Sequence, residues 1–253
     1  MTSLAPHDWI AGLEKGLAVI EVFDADHPRL TATEAGERCG MTRTAARRYL
    51  KTLAHLGYVG TDGKLYWLMP RILRLGHAYL ESARLPRLVL PFLQRVFEGT
   101  GEVAYLGVLD GPNTVFIARS GGARQPTHGY LLGTRLPAQV TAVGMSILAN
   151  LPEAEANGWI DACELRAFTS YTLSTKADLR HALARFRQIG YALSEQQLEL
   201  NYRGIGVPLL DRQNQVHAAV SITMPINQED ADHALRRVLP VMQEAAKSLR
   251  PLM

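Results

Sequence analysis

The chain has 253 residues, 47% of them hydrophobic, with a mean hydropathy of −0.04 and a formal net charge of +3. Those values suit one large or two modest globular domains with a real core. They exclude a membrane protein, because the apolar runs fall short of the roughly 20 residues a spanning helix needs. The opening "MTSLAPHDWIAGLEKG" carries acids and no long apolar block, so no secretory signal is expected. Cys39 and Cys163 stand alone and far apart, which fits neither a disulfide framework nor a zinc site. A reducing cytoplasm is the expected location.

In chain order, "GLEKGLAVIEVFDADHPRLT" sets Leu13, Gly16, Leu17, Ile20 and Phe23 at helical spacing, and Pro28 ends that helix. Thr31 followed by Glu34 is a capping-box pattern, so a short second helix starts there, with Ala35 and Cys39 on its buried side. Gly40 permits a tight turn, and Thr42 is placed to cap a third helix. On that helix Ala46, Tyr49, Leu50, Leu53 and Leu56 form one face and Arg43, Thr44, Arg47, Arg48 and Lys51 the other. "GYVGTDGKLYWL" then reads as strand, Asp62-Gly63 turn, strand. Three helices with a glycine turn between the second and third, followed by a small hairpin, predict a winged helix-turn-helix.

The charge pattern assigns that domain a partner. From Arg38 to Arg74 there are eight basic residues and one acid, Asp62, so the rest of the chain is net acidic. A solvated helix face is the plain reading of such a run, and a polyanion partner is the functional one. The start of the third helix decides between them. A helix N-terminus favours anions, yet this one is loaded with arginine, which makes sense if DNA phosphates flank it. Laid in a major groove, Arg43 and Arg47 can offer paired donors to guanine, and Thr44 and the Ala45 methyl are placed to touch thymine. Thr42, Arg48, Lys51 and the wing residue Lys64 complete the expected set, the basic ones as phosphate contacts. One such reading head makes few base contacts, so a homodimer on an inverted repeat of double-stranded DNA is expected.

"PRILRLGHAYLESARL" predicts a connecting helix broken at Pro86, and "LPRLVLPFLQRVFEGTG" a further helix. From Glu102 the texture changes. "EVAYLGVLDGPNTVFIARS" and "GIGVPLLDRQNQVHAAVSITMP" are antiparallel hairpins, and "GYLLGTRLPAQ" reads as strand then loop. "TAVGMSILANL", "KADLRHALARFRQIG" and "DADHALRRVLPVMQEAAKSLRPL" are helices. Helices flanking antiparallel hairpins make an α+β domain, a class that often encloses a small ligand.

The sequence carries no recognisable catalytic constellation. "GMSIL" has Leu148 where a nucleophile elbow needs its second glycine, and "GIGVP" lacks the third glycine of a dinucleotide loop. The eight histidines form no metal-like pair, and Glu195 with Glu199 read as two solvated carboxylates. An enzyme, a metal site and a cofactor are therefore not expected. One feature does suggest a ligand. The loop "GTRLPAQVTAVG" runs into a helix near Thr141, where the N–H groups of Ala142, Val143 and Gly144 can hold a carboxylate or phosphate. The hydroxyls of Ser221 and Thr223, two apart on a strand, share one face. A constitutive DNA-binding or scaffold protein without a ligand remains the alternative, as does a regulator responding to a non-aromatic ligand.

Taken together, "LEKGLAVIEVF", "TATEAGERCGMTRTAARRYLKTLAHLGYV", "GTRLPAQVTAVGMSILA", "GYALSEQQLELNYRGIGVPLLD" and "VHAAVSITMP" resemble the IclR family of bacterial transcription regulators, from about Gly12 to the C-terminus. "TRTAARRYLKTLAHLGYV", "LMPRILRLGHAYLES" and "GTRLPA" look closest to the branch controlling protocatechuate, 4-hydroxybenzoate and β-ketoadipate catabolism. The resemblance implies an α+β chain of two domains: a winged helix-turn-helix over 9–70, a linker helix over 71–86 and a GAF-like effector-binding domain with an antiparallel sheet over 87–253. It also implies a dimer or dimer of dimers on a palindromic operator and a small organic acid effector, aromatic or derived from ring cleavage. Motif matching carries the effector positions onto Ala142, Val143, Ser194, Gly204, Ser221 and Thr223. There are departures: where that branch often reads "DQELE-GLRSIAVPV", this chain has Gln197, Asn201 and Gly204 in place of Glu, Gly and Ser, and "PAYATSMGRVLLA" is here "PAQVTAVGMSILA".

Overall fold

The structure, a computed structural model, describes residue 5 and residues 7–121 and 130–253. The first four residues and Gly129, on which two expectations rest in part, lie outside that range. The chain divides into two compact units, residues 1–79 and 80–253.

The first unit holds α1 (Ala11–Glu21), β1 (Leu30–Thr31), α2 (Ala32–Arg38), α3 (Arg43–His55), β2 (Val59–Thr61) and β3 (Leu65–Leu68). Short-range chemistry sets the ends of its helices. The Thr31 side chain accepts from Glu34 N–H while the Glu34 carboxylate accepts from Thr31 N–H, so the capping box is complete. Thr42 Oγ1 accepts from Ala45 N–H at 3.2 Å and caps α3. Gly40 takes a φ of +63° between them. The strands form an antiparallel sheet in the order β1-β3-β2, a wing whose turn is tied by Asp62 Oδ1 accepting from Lys64 and Leu65 N–H. Val19, Leu30, Ala35, Leu50, Val59 and Tyr66 are the core.

The apolar stripe of α1 is only partly covered: Ile20 and Phe23 are half-buried, whereas Leu13 is 62% and Leu17 47% exposed, with Trp9 and Ile10 exposed before them. Leu56 is likewise exposed, because α3 ends at His55 and Leu56 is its C-cap. The connecting helix is also shorter than expected. A 3-10 turn (Pro70–Ile72) leads into α4 (Leu73–Ser82), and the chain breaks at Ala83 rather than at Pro86. Pro86 sits in the first turn of α5 (Arg84–Thr100), where helix N–H groups lack intrahelical partners and proline removes none.

The second unit is built on a six-stranded antiparallel sheet of β4 (Ala104–Asp110), β5 (Asn113–Arg119), β6 (Arg135–Pro137), β7 (Ala192–Glu195), β8 (Tyr202–Leu210) and β9 (Val216–Pro225), in the order β6-β5-β4-β9-β8-β7. The "GYLLGTRLPAQ" stretch is thus the reverse of the expectation over its described part: a turn at Leu132-Gly133 precedes the strand. One sheet face packs α5 and α9 (Ala231–Leu249) through Val89, Leu93, Val238 and Met242 on Ile205, Val220 and Ile222. The other carries α6 (Ala142–Asn150), then α7 (Glu153–Ala162) and α8 (Lys176–Ile189), around Met145, Leu148, Ile160, Leu179 and Leu183. Strand alternation divides β9 between these layers, so Val220 and Ile222 face α5 and α9 while Ala219 packs beside Val143 of α6.

Candidate nucleic-acid interface and ligand cavity

On α3 the side chains of Thr42, Arg43, Thr44, Arg47, Arg48 and Lys51 are all exposed, and Ala45 is half-buried. Ala46 and Leu50 on the opposite face have no exposed surface. The helix therefore turns one basic surface outward, with its N-terminus capped by Thr42 and no acid in the first turn. Among the described residues none of Arg43, Arg47, Arg48, Lys51 and Lys64 makes an ion pair. Lys64 stands exposed at the wing tip. Burial on one side and unpaired cations on the other is the arrangement of a helix that reads DNA rather than a helix laced to its own protein.

In the second unit the structure brings Ala142, Val143, Ser194, Gly204, Ser221 and Thr223 to the wall of one cavity, with Phe116, Tyr130, Glu199 and Tyr202 around them. Thr141 caps α6 by accepting from Gly144 N–H at 3.1 Å. Gly144 therefore stands behind the cavity: its amide is taken, and a Cβ there would lie 2.1 Å from Ala138 O. Ala142 and Val143 keep the unpaired N–H groups of a helix start, which favour an anion. The Ser194 hydroxyl donates to Val140 O at 2.7 Å. The hydroxyls of Ser221 and Thr223 have no protein partner among the described residues.

Glycine lets the helix start lie so close to the sheet. A Cβ at Gly206 would stand 2.3 Å from Ala142 O, and one at Gly107 2.6 Å from Val143 Cγ1. The "GIG" that fails as a dinucleotide loop is a packing device. Gly206→Ala should push the start of α6 outward against backbone atoms that cannot yield. The expected cost is roughly 1–3 kcal/mol of stability, measured by denaturant unfolding. Of the departures noted in the sequence, Asn201 has a φ of +67°, a left-handed position that asparagine tolerates as glycine does. Buried Gln197 accepts from Leu173 N–H through Oε1. At Gly204 a Cβ would meet the Ala142 methyl at 3.1 Å, so the missing serine brings helix and strand closer.

Three aromatic rings escaped the sequence reading. Phe116 and Tyr130 stack with centroids 4.8 Å apart and planes 7° apart, and Tyr105 meets both edge-on. Burial, and then the Glu199 carboxylate, push the Tyr130 phenol up to about 12, so it remains a hydroxyl at neutral pH. Glu195 is not simply solvated, for it accepts from Arg203 Nε at 2.7 Å. The cavity offers only about 40 Å³ to water-sized groups, against about 150 Å³ in an engineered cavity that takes benzene. A hollow between α7 and α8 is roomier, at about 690 Å³. Polar groups converge on the smaller one from a helix start and two strands, the pattern of a ligand pocket.

A winged helix with a basic outward helix, carried with an α+β domain whose small cavity opens at a helix start, defines a DNA-binding transcription regulator with a sensor domain. The comparisons with known proteins say which kind. Residues 12–63 match the IclR helix-turn-helix domain and residues 77–250 the bacterial transcriptional regulator IclR C-terminal domain, so the chain belongs to the IclR family. It is 38% identical over 250 residues to the p-hydroxybenzoate hydroxylase transcriptional activator of Acinetobacter baylyi, covering 97% of this chain and 92% of that protein. To the Pca operon regulatory protein of the same organism it is 35% identical, covering 97% and 90%. Among solved structures it resembles an IclR homologue from Microbacterium hydrocarbonoxydans complexed with 4-hydroxybenzoate, with a TM-score of 0.74 and 25% identity, covering 94% of this chain and 97% of that one.

Proposed function

We infer that this regulator binds operator DNA through α3 and the wing, and that a small aromatic carboxylic acid binding in the second unit controls it. The observation that carries the effector half is the convergence of the Ala142 and Val143 N–H groups with the Ser221 and Thr223 hydroxyls on one cavity. A carboxylate on the helix start and a hydroxyl near Tyr130 match the chemistry of a hydroxybenzoate. Regulators of p-hydroxybenzoate and Pca genes stand among the relatives, which supports the same reading. The cavity has to widen to admit a ring. Catalysis forms no part of this reading, and a cytoplasmic setting follows from DNA as the partner. No described helix is long and apolar enough to cross a membrane.

The test is calorimetry of the full chain with benzoates, catecholic acids, keto acids and their neutral amides. The tightest ligand should be an aromatic monocarboxylate, and a tighter neutral amide would refute the anion seat.

Assembly belongs to the same reading. The exposed apolar residues of α1 (Leu13, Leu17), of the stretch before it (Trp9, Ile10) and of α4 (Leu73, Leu75, Tyr79) support pairing of two copies. Light scattering should give a dimer or a dimer of dimers at micromolar concentration, and Leu13→Glu with Leu17→Glu should shift it toward monomer. A wild-type monomer that binds half-sites as tightly as full sites would contradict this.

A further inference from the structure

Arg29 precedes β1 and lies outside the basic run that begins at Arg38. It is exposed, and its guanidinium carbon stands 4.5 Å from the centre of the Trp67 ring. The strand register makes them neighbours, since Leu30 pairs with Tyr66. Behind the ring is Gly60, the cross-strand partner of Trp67 on β2. A Cβ at Gly60 would fall 2.5 Å from Trp67 Nε1 and 2.6 Å from Cε2, so the bare glycine lets the indole lie across the wing as a platform. A guanidinium stacked on an indole keeps its in-plane N–H fork directed outward, and the stacking limits the freedom it loses on binding.

Among the described residues Arg29 has no ion-pair partner. The wing's own acid, Asp62, is engaged by the N–H groups of Leu65 and Lys64. Those bonds hold its carboxyl low, and the charge of Arg29 adds only the last contribution, so Asp62 does not occupy the guanidinium. An exposed, pre-oriented guanidinium with unused donors, at the edge of the small sheet whose turn carries Lys64, is built to take a phosphodiester.

We propose that Arg29 is a DNA-phosphate contact of the wing and that Trp67 is the positioning residue that fixes its direction. This rests on the DNA-binding reading, which wild-type binding checks separately. The experiment is fluorescence anisotropy of the full chain, across a salt series, on a random-sequence duplex and on a genomic fragment selected by the wild-type protein. Arg29→Ala should weaken both complexes several-fold and by similar factors. It should also lower the salt slope by about 0.9 for each protomer bound. Arg29→Lys should restore the slope but not the full affinity, because an ammonium lacks the planar fork. Trp67→Leu should weaken binding in the wild-type background and add nothing to Arg29→Ala, whereas Trp67→Phe, which keeps a ring face, should bind nearly as wild type. An unchanged salt slope in Arg29→Ala overturns the contact. A Trp67→Leu loss of equal size in both backgrounds overturns the positioning role and leaves Trp67 a fold residue. Wild-type protein that bound neither duplex would instead overturn the DNA-binding reading.

Discussion

Arg43→Ala or Arg47→Ala is expected to cost roughly 1–3 kcal/mol on the cognate operator and much less on random DNA, measured by anisotropy at fixed salt. The reasoning starts from position. Both side chains are exposed near the capped start of α3, the end that enters the groove first. Neither is held by an acid of its own protein among the described residues, so its donors are available to a base edge. Removing a bidentate pair to guanine loses both affinity and discrimination. Lys51→Ala is the contrasting case, because an ammonium on a phosphate carries no sequence information. It should weaken cognate and random complexes alike and reduce the salt slope by about one. Equal losses on the two DNAs for both arginine variants would show that α3 is held by phosphates alone.

Thr223→Asp should remove the stabilisation that an aromatic acid gives the folded chain. A ligand bound only to the native state raises stability by about 2.7 kcal/mol at a hundredfold excess over its dissociation constant. Thr223 lines the cavity with its hydroxyl unpartnered, and it pairs in register with Gly204, which faces Ala142. A fixed negative charge there opposes a carboxylate seated on the Ala142 and Val143 N–H groups. Val143 itself is unsuited to the test, since it packs among Tyr105, Phe116 and Ile147, where a charge would disrupt the core. Thermal unfolding with and without 4-hydroxybenzoate checks the expectation: the ligand-induced rise should vanish in Thr223→Asp and persist in Thr223→Ser. Operator affinity without ligand should stay near wild type. Undiminished stabilisation in Thr223→Asp would move the site elsewhere.

Much of the reading head was legible in the sequence because its determinants are local. The capping box of Thr31 and Glu34, the Thr42 cap, the turn at Gly40 and the split of α3 into two faces each lie within a few residues, and all recur in the structure. Periodicity failed where it was asked what covers a face. It found the apolar side of α1 but could not show that its Leu13 and Leu17 stay uncovered within one chain. It also missed α7, which buries only Ala156 and Ile160 and so leaves a faint apolar stripe. Pro86 misled because proline is harmless in a first turn.

In the cavity, residues tied to one helix start or one strand face could be anticipated, as Ala142, Ser221 and Thr223 were. The Phe116–Tyr130 stack and the Arg203–Glu195 pair could not, because each depends on chain crossings and strand register that no short window contains. The glycines show the same limit. Gly144 looked like part of an anion site and is a packing contact, while Gly206 looked like a failed nucleotide loop and makes room for the start of α6.

The central claim, that DNA binding in this chain answers to an aromatic acid, is tested most directly by footprinting. The full chain is bound to a genomic fragment that it selects, and 4-hydroxybenzoate is titrated in. Protection should fall on two symmetric half-sites a whole number of helical turns apart, and the acid should change its extent or pattern, whereas the neutral amide should not. Protection spread along the fragment without half-sites, or a footprint indifferent to every aromatic acid offered, would contradict the account.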